Sequence, residues 1–121
     1  MVGKETIRKV DPELASKIVG TVPMPNAFLF FAEIGQYTGQ HAISLADFLE
    51  KLKTVPLRSM EFHFKRGDFQ KWIKDTLGDK ELADRISRFN KNVQGESLRE
   101  VLYEIVEKRL NQLRAAAPAK K

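Results

Sequence analysis

The segment 97–114, SLREVLYEIVEKRLNQLR, constrains the fold more than any other stretch of the chain. At about 100° per residue, Leu98, Val101, Leu102, Tyr103, Ile105, Val106, Leu110 and Leu113 cover roughly half of a helix circumference. A helix lying on one neighbour needs an apolar stripe only somewhat over 100° wide. So broad an arc must be covered from a second side, either by another helix of the same chain or by a second copy related by two-fold symmetry. The charges agree with the helix dipole: Glu96, Glu100 and Glu104 come early, Lys108, Arg109 and Arg114 late. Ser97-Leu98-Arg99-Glu100 has the pattern of a capping box and is expected to open the helix.

The remaining segments are short, each bounded by its own start and stop signals. Asp11-Pro12-Glu13 predicts an N-cap with proline in the first turn, and a short face of Leu14, Ala15 and Ile18 ends at Gly20. Pro23 and Pro25 then force an extended passage. Residues 26–34, NAFLFFAEI, are too short and apolar for an exposed helix and favour a buried strand; Gly35 and Gly39 around Tyr37-Thr38 suggest a loop or hairpin. Ser44, with Asp47 three residues on, caps a helix whose Leu45, Phe48, Leu49 and Leu52 form one stripe up to Pro56. Residues 57–64 suit either a helix or, from the alternation of Phe62 and Phe64, a strand. Asp68 is expected to cap a helix with Phe69, Trp72, Ile73 and Leu77 inward, stopped by Gly78. Asp79 starts the next, with Leu82, Ala83, Ile86 and Phe89 inward.

These elements predict a mainly α chain: a compact bundle of four or five short helices with one short extended aromatic segment or hairpin. Residues 1–25 hold a short helix and a proline-containing extension, 26–114 the helical domain, and 115–121 a basic tail. A length of 121 residues suits one core.

Composition excludes several kinds of chemistry. There is no cysteine, hence no disulfide, thiolate metal site or cysteine nucleophile, and a cytoplasmic location is expected. The longest strongly apolar run, 27–32, is six residues against the about 20 that span a bilayer, and 1–6 lacks a signal-peptide pattern, so no membrane association is expected. His41 and His63 form no metal-binding pair, no serine sits in a nucleophile elbow, and no phosphate-binding glycine loop is present. The chain is therefore expected to be non-catalytic, with no cofactor and no metal. Arg66-Gly67-Asp68 spells an adhesion tripeptide but reads as a turn leading into a helix, and His63 is expected to bond a backbone or carboxylate group there. Were the chain an enzyme, a pocket lined by Tyr37, His41 and His63 is where its chemistry would lie.

The sequence from Phe28 onward resembles a family of small archaeal and thermophile helical proteins known only as a domain of unknown function. Tyr37-Thr38-Gly39, Ser44-Leu45 with Phe48, the run 62–69 (FHFKRGDF), Trp72-Ile73, Leu77-Gly78-Asp79 with Leu82-Ala83, and Leu98-Arg99-Glu100 carry the likeness. It implies an archaeal cytosol and a helical module, and brings no reaction, cofactor or site.

A net charge of +5 and a pI near 9.6 point to an anionic partner. The first functional expectation is a homodimeric binding protein docking on the ribosome or another RNA–protein particle, as a clamp or storage factor. Lys65, Arg66, Lys71, Lys74, Arg85, Arg88, Lys91, Arg114, Lys120 and Lys121 would contact the particle, and Ile105, Leu110 and Leu113 would form the dimer interface. The second is a regulatory or adaptor module for a protein partner or small metabolite, with charge serving only solubility. For stacking on a nucleic acid, Tyr37 between its two glycines is a better candidate for an exposed aromatic than Trp72, which reads as core.

Overall fold

The computed structural model describes residues 10–89 and 91–117. Six α-helices and one hairpin make up this part of the chain: α1 (Pro12–Ile18), β1 (Phe28–Glu33), β2 (Gln36–Ala42), α2 (Leu45–Thr54), α3 (Leu57–Arg66), α4 (Asp68–Trp72), α5 (Lys80–Ser87) and α6 (Gly95–Ala116). The passage through Pro23 and Pro25 is not wholly extended, since Met24–Asn26 make one 3₁₀ turn.

The sixth helix is α3, over the segment that suited helix and strand equally. Its Ser59, Met60, His63 and Phe64 recur at helical spacing and are all buried, so the 3.6-residue period prevails. Phe62 instead lies half-buried on the outer side beneath the guanidinium of Arg66. Gly67, at φ +76°, breaks the chain between α3 and α4. Beyond Trp72 the helix widens into a π turn, Ile73–Leu77, which Gly78 ends.

The C-terminal helix α6 touches α1, α2, α3 and α5, so its broad apolar arc is covered inside one chain. Leu110 and Leu113, expected at a dimer interface, are only 2 % and 0 % exposed and belong to this core. The four short helices bury Leu98, Leu102, Val106, Leu110 and Leu113, while Val101 and Tyr103 of the arc are half-buried. Ile105 is half-buried. Arg109, a late cation that complements the helix dipole, has a second role. It is buried in register with Leu102, Val106 and Leu113, and its guanidinium donates to both carboxylate oxygens of Asp79 at 2.9 Å. Asp79 also accepts the Leu82 N–H as N-cap of α5. The capping box at Ser97 does not form: α6 begins at Gly95, whose N–H donates to Glu61 Oε2 at 2.7 Å.

The caps at Asp11 and Ser44 do form, accepting from the N–H of Leu14 and of Asp47 at 3.0 Å. On α1, Ala15 and Ile18 face the core while Leu14 is exposed. The hairpin rests β1 on α3 and β2 on α2. An aromatic cluster of Phe28, Phe30, Phe48, Phe69 and Trp72 fills the space between, with ring centroids 4.8–6.5 Å apart. Trp72 is buried as expected, and its Nε1–H donates to the Asn26 carbonyl at 2.8 Å.

Candidate functional site

Alternation along β1 turns Phe28 and Phe30 into the core and leaves Leu29 and Phe31 on the opposite face. Leu29 pairs with His41 and Phe31 with Tyr37, so these four side chains share the outer face of the hairpin. The rings of Phe31 and Tyr37 are 5.5 Å apart, and the Tyr37 hydroxyl reaches His41 Nδ1 at 3.5 Å. Between Leu29 and Phe31 the register shifts, because three residues of β2, Thr38 to Gln40, stand opposite Phe30 alone. Gly39, at φ +89° within this bulge, leaves bare backbone between Tyr37 and His41, with nothing within 4 Å of where a Cβ would be. Thr38 secures the bulge: its hydroxyl donates to the Phe30 carbonyl at 2.7 Å and accepts from the Gln40 N–H.

Of the large apolar side chains exposed among the described residues, Leu29 (41 %), Tyr37 (47 %) and Ile34 (80 %, at the hairpin tip) lie on this one element. Elsewhere only Leu14 and Met24 are comparably exposed.

Behind the hairpin, His63 joins it to the helices. The Phe31 N–H donates to Nε2 at 2.9 Å, while Nδ1 lies 2.7 Å from Asp68 Oδ2. A backbone N–H can only donate, so Nε2 must carry the lone pair and Nδ1 the proton. Burial holds the imidazole below its ordinary pKa, against the opposing pull of Asp68. This is the structural bond to a carboxylate and a backbone group expected of His63. Asp68, expected as an N-cap, instead occupies the first turn of α4, and its carboxylate serves His63 and Arg66 Nε. Tyr37 and His41 face outward and His63 inward, so the three do not line one pocket.

Of the eight basic candidates among the described residues, four have a carboxylate partner and four have none. Arg66 pairs with Asp68 at 3.0 Å, Lys71 with Asp75 at 4.0 Å, and Arg85 and Arg88 with Glu81 at 2.8 and 3.8 Å. The bond from Arg85 holds the Glu81 carboxyl below the usual range, against the partial burial that would raise it. Lys65, Lys74, Lys91 and Arg114 are exposed and have no ion pair among the described residues. Lys65 and Lys91 meet at a cavity of about 390 Å³, shared with Glu61, Phe64 and Gln94. Lys120 and Lys121 lie outside the described residues. A wider groove between α2 and α6, about 680 Å³, is lined by Lys53, Arg99, Glu100, Tyr103 and Glu104, a mixed-charge set in which Lys53 lies over the Tyr103 ring.

Among the described residues no helix is long and apolar enough to cross a membrane, and no three His, Cys, Asp or Glu side chains gather as a metal site would need.

The model of a family of unknown function, DUF5752, matches residues 24–121. The chain belongs to that family. The match takes in the hairpin and every later helix, and runs on through the tail beyond the stretch where a resemblance was legible. The uncharacterised family that the motifs suggested is thus the kind of family found. No curated protein and no solved structure matches the chain significantly.

Proposed function

We propose that this family member is a cytoplasmic, non-catalytic binding module that docks on a protein partner through the outer face of its β-hairpin. The observation that carries the reading is that three of the five exposed large apolar side chains among the described residues, Leu29, Ile34 and Tyr37, share one small element with the half-buried Phe31. A rigid aromatic pair beside an aliphatic residue, edged by a histidine and bare glycine backbone, suits a protein contact. Aromatic side chains give large contact area at little entropic cost. The cysteine-free composition suits a reducing compartment.

Docking on an RNA-rich particle is the second reading, favoured by Lys65, Lys74, Lys91 and Arg114, which are exposed and have no ion pair among the described residues. It ranks lower because Arg66, Lys71, Arg85 and Arg88 are already engaged by carboxylates. A homodimer retains only Ile105 of its three expected contacts.

A photo-crosslinking residue placed at position 37 tests the first reading against the same residue at position 104, on the charged face of α6. In cells that make the protein, position 37 is expected to yield a discrete protein adduct and position 104 none. Adducts to RNA, or equal yields from both positions, would contradict it.

A further inference from the structure

We propose that His63 is a proton-operated clip: neutral, it holds the hairpin on the helical body, and cationic, it releases it. The geometry allows Nε2 only one role. Its lone pair receives the Phe31 N–H at 2.9 Å, while the proton on Nδ1 is given to Asp68 at 2.7 Å. When the imidazole gains a proton, the new N–H forms on Nε2 and points at another N–H. Two donors at that distance repel, and the strand amide loses its partner where water does not reach it easily.

The surroundings make this contact costly to break and sensitive to charge. His63 is buried, with the rings of Phe28, Phe62, Phe30 and Phe69 centred 4.8–6.2 Å from its own. Among the described residues, the charged groups that face it are Asp68 from α4, which favours the cation, and Arg66 from α3, which opposes it. The β1 residues against it, Phe28, Phe30 and Phe31, carry no charge. Burial and Arg66 together outweigh Asp68, so the folded protein keeps the histidine neutral to lower pH than the unfolded chain does.

The clip grips a residue of the outer face. Phe31 is held from behind by its backbone, and its ring packs on Tyr37 in front. Releasing the backbone of residue 31 therefore unsettles the Phe31–Tyr37 pair. That consequence for docking rests on the proposed function, whereas the clip itself does not.

Nitrogen-resolved NMR of the whole chain, taken from about pH 7.5 down to about 4.5 across the histidine range, tests the clip without any partner. In step with protonation of His63, the protection of the Phe31 amide, its exchange rate taken relative to the intrinsic rate at each pH, is expected to fall by about tenfold, the equivalent of one lost hydrogen bond. Amides in the middle of α6, such as Leu102 and Val106, stay protected. His41→Gln keeps the step and His63→Gln removes it; if the latter does not fold, wild type and His41→Gln still decide. A Phe31 amide that stays protected while His63 becomes cationic would overturn the proposal. So would a His63 that gains its proton only when the α6 amides open with it.

Discussion

Arg109 and Asp79 are buried charges joined by two parallel hydrogen bonds, an arrangement that stabilises only while both partners are present. Removing the guanidinium leaves a carboxylate in the core with a single backbone N–H from Leu82, so Arg109→Ala is expected to cost about 3–5 kcal/mol in urea unfolding. A loss below about 1 kcal/mol would mean that water reaches Asp79. Trp72→Ala should cost a similar amount, about 3–5 kcal/mol, by emptying the middle of the aromatic cluster and orphaning the Asn26 carbonyl. At this scale the apolar residues were legible: Phe69, Trp72 and Leu82 sit on helical stripes and are buried as that spacing requires. Arg109 was not, because a cation near a helix C-terminus already has an explanation in the dipole. The signal that would have found it is its register with Leu102, Val106 and Leu113, where a charge interrupts an inward stripe. Asp68 misled in the opposite way. It has the right residue type for a cap, but Gly67 takes that position and the carboxylate turns back to His63 and Arg66.

Helix ends show which local signals hold. Ser44 accepts the Asp47 N–H, and the Asp47 carboxylate in return takes the Ile43 N–H at 3.0 Å and Lys51 Nζ at 2.7 Å. These bonds hold the Asp47 carboxyl below its usual range although partial burial alone would raise it. Ser97 has the same look in sequence, yet α6 starts three residues earlier than a Ser97 cap would place it, at Gly95, whose N–H is taken by Glu61 from α3. Ser44→Ala is therefore expected to lower stability by about 1 kcal/mol and Ser97→Ala by only a few tenths. Equal losses in thermal or urea melts would contradict this difference. A cap supplied by a distant element cannot be read locally, and neither can the choice between helix and strand in α3. Phe62 and Phe64 alternate, but Phe62 finds cover from Arg66 at the surface while Met60 and Phe64 find the core.

For the whole molecule, the two histidine bonds and the surface carboxylates predict two separate losses of stability in acid. His63 has a lowered pKa in the fold, so its contribution is complete above about pH 6.5, the unfolded value, and declines as pH falls below it towards the folded value. Asp47 and Glu81 also titrate lower in the fold, and their contributions fade only as pH falls below about 4. Urea midpoints should thus already drop between about pH 6.5 and 5, and His63→Gln should abolish that first drop; a midpoint flat down to about pH 4.5 would contradict it.

The mainly helical bundle and its aromatic hairpin were legible from periodicity and punctuation. What covers α6 was not, since an apolar arc looks the same whether four short helices or a second copy lies on it. The hairpin's outer face was hidden for a related reason. Residues 27–32 are apolar throughout, and only the packing of β1 on α3 decides which side chains are left outside. Docking through that face is what separates a protein-binding hairpin from a basic surface for RNA. Its most direct test is affinity capture from cells that make the protein, comparing wild type with Leu29→Ser/Tyr37→Ser at low and high salt. Both substitutions sit at exposed positions, so the variant should fold and melt within about 1 kcal/mol of wild type. The expected result is a protein partner that wild type retains at high salt and the variant loses at both. RNA-rich material captured equally by both proteins and shed at high salt would contradict it and place the contact on the basic residues instead.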